Sequence, residues 1–105
     1  ALLMDETPPS IEEIQPPPGT EVHDPRPALS ARIRDEGSGI VREEDLAMEL
    51  DGVRLIVEYD PERERIAARP RRPLAPGPHR LEVRARDACG NQARSVAGFV
   101  LRESP

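Results

Sequence analysis

Residues Gly77 to Asn91 constrain the fold more than any other stretch of this chain. Leu81, Val83 and Ala85 fall on one parity, while Arg80, Glu82, Arg84 and Arg86 fall on the other. A period of two, apolar on one side and charged on the other, specifies a half-buried strand of an antiparallel sheet. Asp87 to Asn91 then supply Gly90 and Asn91, residues that tolerate positive φ, so the strand ends in a turn. The strand is expected at the centre of a small β-sandwich.

Other segments repeat the pattern. Leu29, Ala31 and Ile33 alternate with Ser30, Arg32 and Arg34. Leu46 to Leu50, Asp51-Gly52, and Val53 to Val57 read as a β-hairpin, because Asp-Gly suits a type I′ turn with two positive φ values. Ile11 and Ile14 anchor a short first strand, broken by Pro16-Pro17-Pro18. That proline run also offers no amides to an incoming strand. Val41 to Asp45 has room for one helical turn. Pro61 to Arg65 reads as a charged turn, Ile66 to Ala68 as a short strand, and Ala93 to Leu101 as the closing strand with Phe99 and Leu101 inward. The expectation is all-β: an immunoglobulin-like sandwich of about seven antiparallel strands in two sheets.

A length of 105 residues suits one domain, with 8–102 as the sandwich. Tyr59 and Phe99 are the only aromatic residues, so aliphatic side chains must build the core. Segment 1–7 reads as the end of a preceding module or linker, and 103–105 as the start of the next. Leu2 to Pro8 aligns in residue class with Phe99 to Pro105, as a repeat period would place them. The opening Ala-Leu-Leu-Met is expected to lie inside a longer chain.

Charge and composition exclude some partners. The net charge is −5 with both signs interspersed, a poor basis for neutralising nucleic-acid phosphates. No run reaches the ~18 apolar residues of a membrane helix. One cysteine, Cys89, allows no internal disulfide.

The order Thr7-Pro8-Pro9-x-Ile11, Asp35-x-Gly37-Ser38-Gly39-Ile40, Leu50-Asp51-Gly52, Leu74-x-x-Gly77-x-His79-x-Leu81-x-Val83-x-Ala85-x-Asp87-x-x-Gly90-Asn91 and Phe99-x-Leu101 resembles the bacterial immunoglobulin-like repeats of secreted and cell-surface proteins. Cys89 departs from that pattern, where a small residue such as Ala is usual. The resemblance implies a β-sandwich that serves as a spacer or interaction module beside catalytic or adhesive domains, in an extracellular or cell-surface setting. Its partners would be neighbouring domains of the same polypeptide, with a surface protein or polysaccharide as a further possibility.

No catalytic set emerges from the residues. His79 and Cys89 sit about nine extended residues apart, roughly 30 Å at ~3.3 Å per residue, too far for a nucleophile–base pair. His79 is expected to bond a backbone carbonyl at a corner, and His23 to lie on a loop surface. One Cys and two scattered His lack zinc spacing. No cofactor is expected, apart from calcium as an open alternative. Asp35, Glu36, Asp87 and Asn91 supply oxygen ligands from loops expected to converge, or they cap their own turns. The outward Arg80, Arg84 and Arg86 are expected to pair with Glu82 and Glu49 rather than to hold a polyanion. Two rivals to the spacer reading are a ligand-binding module using loops 35–40 and 87–92, and an accessory domain of a secreted hydrolase.

Overall fold

Leu81, Val83 and Ala85 are buried to within 2% of full exclusion from solvent, and they sit where the alternation places them. The computed structural model describes residues 9–34, 45–87 and 89–103. Among the described residues nine strands run in chain order: β1 (Ser10–Gln15), β2 (Glu21–Val22), β3 (Leu29–Arg34), β4 (Leu46–Leu50), β5 (Val53–Arg54), β6 (Glu58–Asp60), β7 (Arg65–Ala68), β8 (Gly77–Arg86) and β9 (Gln92–Leu101). They form two sheets, ordered β1-β3-β7-β6 and β2-β9-β8-β4-β5. The fold is an all-β sandwich of the immunoglobulin-like kind, and β8 is the middle strand of the larger sheet.

The core lies between the layers. One sheet contributes Leu29, Ala31, Ile33 and Ile66; the other contributes Leu46, Met48, Leu50, Leu81, Val83 and Phe99. Register keeps these side chains on one face. Leu46 pairs with Ala85, Met48 with Val83 and Leu50 with Leu81, so each inward residue of β4 meets an inward residue of β8. On the other flank of β8, His79 pairs with Phe99 and Leu81 with Ala97.

β1 shows how a strand bends its parity to reach the core. Ile11 and Ile14 are an odd number of residues apart and would face opposite ways in a regular strand. Glu13 takes a φ of 50°, and the register with β3 shifts between Glu12 and Gln15. This bulge inserts one residue, so both isoleucines pack against the core.

The fold departs from the sequence reading in three places. Two short strands that the sequence reading did not place, β2 and β6, raise the number to nine among the described residues, and β2 runs parallel to β9 rather than antiparallel. The second hairpin arm does not continue to Val57 as an inward strand. Ladder pairing stops at Arg54, Val53 and Ile56 are exposed, and the chain crosses to the other sheet to form β6. Leu55 and Val57 still pack against the core during the crossing. The expected helical turn over 41–45, the loop 35–40 and the matching segment Leu2 to Pro8 lie outside the described residues, apart from Asp45. Among the described residues, no helix is long and apolar enough to cross a membrane.

Candidate functional site

The Asp-Gly turn does more than reverse the chain. Asp51 and Gly52 take φ values of 52° and 84°, the two positive angles that a type I′ turn requires. In that position the Asp51 carboxylate reaches across to β8. Oδ1 accepts the Arg80 amide at 2.8 Å, and Oδ2 lies 2.6 Å from Nδ1 of His79. The other ring nitrogen of His79, Nε2, lies 2.7 Å from the carbonyl oxygen of Ala75. Both partners are acceptors, so the protonated ring, with two N–H donors, satisfies the site best.

Burial by itself would lower the pKa of His79. The hydrogen bonds to Asp51 and Ala75, with the Asp51 charge, outweigh it and hold the ring above the ordinary value of 6.5. The ring also packs against Phe99 with centroids 5.7 Å apart. The corner carbonyl contact expected for His79 is therefore present. The contact with Asp51 was not foreseen, because hairpin pairing and strand order are both needed to bring residues 51 and 79 together.

Asp87 is 2% exposed, the one buried charged residue among those described. Its Oδ1 accepts the amides of Cys89 at 3.0 Å and Asn91 at 2.8 Å, and its Oδ2 accepts the Asn91 side-chain amide at 3.0 Å. Gly90 donates its amide to the Asp87 carbonyl. The carboxylate thus holds the turn closed, as the capping alternative describes. Of the other calcium candidates, Asn91 belongs to this same turn, while Asp35 and Glu36 lie outside the described residues. Cys89 is exposed at the far end of β8 from His79.

Of the three outward arginines of β8, Arg84 pairs as expected, Arg86 pairs with a different acid, and the Arg80 side chain has no carboxylate partner among the described residues. Glu49 and Glu82 stand opposite one another on β4 and β8, a like-charge pair that would repel. Arg84 bonds both, and Arg94 of β9 meets Glu82 at 2.6 Å. Arg86 reaches Asp45 at 2.9 Å.

Sequence reading missed a groove at the hairpin end. The crossover residues 53–56 and the segment 69–74 enclose a cavity of about 690 Å³ with an apolar floor. Arg54, Arg69, Arg71 and Arg72 stand around it. The sequence signal was the run Arg69-Pro70-Arg71-Arg72-Pro73, whose prolines by themselves mark only the end of the strand at Ile66 to Ala68.

No known protein family matches the sequence, and no curated protein matches it. Solved structures do. The fold is that of CopC and PcoC. CopC from Methylosinus trichosporium OB3b is 13% identical, with a TM-score of 0.71, over 92% of this chain and 96% of that one. PcoC from Escherichia coli, a methionine-rich copper resistance protein, is 14% identical with a TM-score of 0.67, over 91% of this chain and 100% of that one. Dimeric latent PorU from Porphyromonas gingivalis is 21% identical with a TM-score of 0.67, over 96% of this chain but 11% of that one. At these identities the likeness is one of fold.

The donors for copper can be compared with what the chain holds. Thioether and imidazole ligands suit copper. This chain has two methionines, and Met48 is fully buried among core aliphatics. Both ring nitrogens of His79 already face oxygen partners. Among the described residues, no three His, Cys, Asp or Glu side chains gather as a metal site. The described residues therefore do not fit a copper centre.

Proposed function

We propose that this chain is a non-catalytic immunoglobulin-like module of a larger secreted or cell-surface bacterial protein, acting as a spacer and interaction domain beside its neighbours. The observation that supports this most is the use of its ionisable side chains. His79, Asp51 and Asp87 bind the hairpin, the central strand and the turn after it to one another, and none is held ready for a substrate. The likeness to a small part of PorU adds that this fold occurs inside long chains.

The test is small-angle scattering on the protein that carries this chain together with its neighbouring domains. An elongated, ordered train is expected. A collapsed particle, or modules tumbling freely about their joints, would overturn the spacer role.

Copper handling is a second reading, favoured by the fold shared with PcoC. It ranks behind because Met48 and His79 are engaged within the scaffold. The ligand-binding alternative through loops 35–40 and 87–92 also ranks behind, because the 87–91 turn spends its polar groups on itself.

A further inference from the structure

The groove beside the hairpin has three properties that the rest of the described surface does not combine. The first is exposed apolar surface. Val53 is 66% exposed and Ile56 70%, two of the three large hydrophobic side chains left open to solvent among the described residues. Such side chains on a rim of polar residues mark interaction sites.

The second is charge. The chain is acidic overall, at −5, yet Arg54, Arg69, Arg71 and Arg72 line this one cavity. Among the described residues, none of the four has a carboxylate partner. Asp51, the acid at the same site, spends both oxygens on His79 and Arg80.

The third is an open strand edge. β5 is the outermost strand of its sheet. Val53 pairs with Leu50, and the Leu55 amide bonds the Met48 carbonyl, so the backbone groups of Arg54 between them point away from β4. The amide of Ile56 has no backbone partner among the described residues.

The opposite wall is held in place. Arg26 Nε donates to the Pro70 carbonyl at 3.0 Å, the Leu74 amide donates to the Pro25 carbonyl at 2.8 Å, and Pro70 is buried. A wall fixed at both ends, with prolines at 70 and 73, needs little ordering on binding.

We propose that this groove docks an extended acidic peptide segment of a protein partner. The segment would add its backbone to the β5 edge, place alternate apolar side chains beside Val53 and Ile56, and set its carboxylates against Arg54, Arg71 and Arg72. A peptide is favoured over other anions by the open edge, because a lipid headgroup or an acidic glycan has no amide ladder to pair with it. The groove also lacks the aromatic platforms that sugar rings stack on. This inference deepens the interaction half of the proposed function and rests on it.

The test is titration of the 105-residue chain with a short capped peptide of alternating Glu and Val. The peptide is N-methylated along one edge to prevent self-association. Saturable binding is expected, with amide shift changes confined to residues 53–56 and 69–74. Affinity is expected to fall at least about tenfold when Gln replaces Glu in the peptide or when the protein carries Arg71→Glu and Arg72→Glu. Both arginines are exposed, and an unchanged melting midpoint verifies that the variant is folded. No binding, equal binding of a peptide methylated on both edges, undiminished binding by the variant, or preference for anionic vesicles or polyuronate over the peptide would each overturn the proposal. The shift map of the unmodified protein decides the location independently of any variant. Failure here leaves the scattering result, and the spacer half of the function, untouched.

Discussion

Asp87 is the one buried charged residue among those described, and its bonds close the turn after β8. A buried carboxylate with three N–H donors loses all of them on truncation, and the donors are left without acceptors. Asp87→Ala is expected to cost about 3 kcal/mol in urea unfolding, at the upper end for a hydrogen-bonded charge. His79 gives a second prediction at this scale. Its folded pKa is raised above 6.5, so protonation favours the folded state. The stabilisation is fully present below about pH 6.5, the unfolded value, and is lost as pH rises through the raised folded value. Urea midpoints across this range are expected to fall with rising pH in the parent chain. His79→Gln is expected to flatten that dependence. A slope unchanged in the variant would place the titrating group elsewhere.

Among the elements, the β4–β5 hairpin links sequence to fold most directly. Gly52 sits at φ 84° with open space where a Cβ would project. Gly52→Ala therefore meets no clash and pays only the left-handed backbone cost, expected to be about 1 kcal/mol in chemical denaturation. A loss of several kcal/mol would mean that the turn also packs. The first arm was legible because Leu46, Met48 and Leu50 alternate and all face the core. The second arm was not. Val53 to Val57 is nearly continuous in apolar residues, and such a run carries no parity, so nothing in it records the change of sheet at Arg54. β1 hid its geometry differently: a bulge at Glu13 turns an odd spacing into a shared face. β2 was invisible because two residues carry no period, and its parallel pairing with β9 is set by where the chain re-enters the sheet.

At the scale of the whole molecule, strand order decides which polar residues meet. The sequence shows that Asp51, His79 and Asp87 each lie at the end of an alternating run, and local turn chemistry accounts for Asp87 alone. The Asp51–His79 contact and the arginine-lined groove are products of topology. β4 lies beside β8, and the crossover from β5 to β6 passes the 69–74 segment. Residues brought together from such separate segments leave no mark in one sequence. Asp51, His79 and Asp87 join the elements to one another, and that use of them is what supports the proposed module.

Calorimetric melting of the 105-residue chain with excess calcium, then copper, then chelator tests that claim most directly. A metal at a hundred times its dissociation constant adds about 2.7 kcal/mol to a folded state that binds it. In a domain of this size each kcal/mol moves the midpoint by ~4–8 °C. No shift with either metal is expected, since Asp87, Asn91 and His79 are engaged with the protein's own backbone and side chains. A rise of ten degrees or so in the presence of either ion, reversed by chelator, would contradict the scaffold role of these residues and make the chain a metal-binding domain.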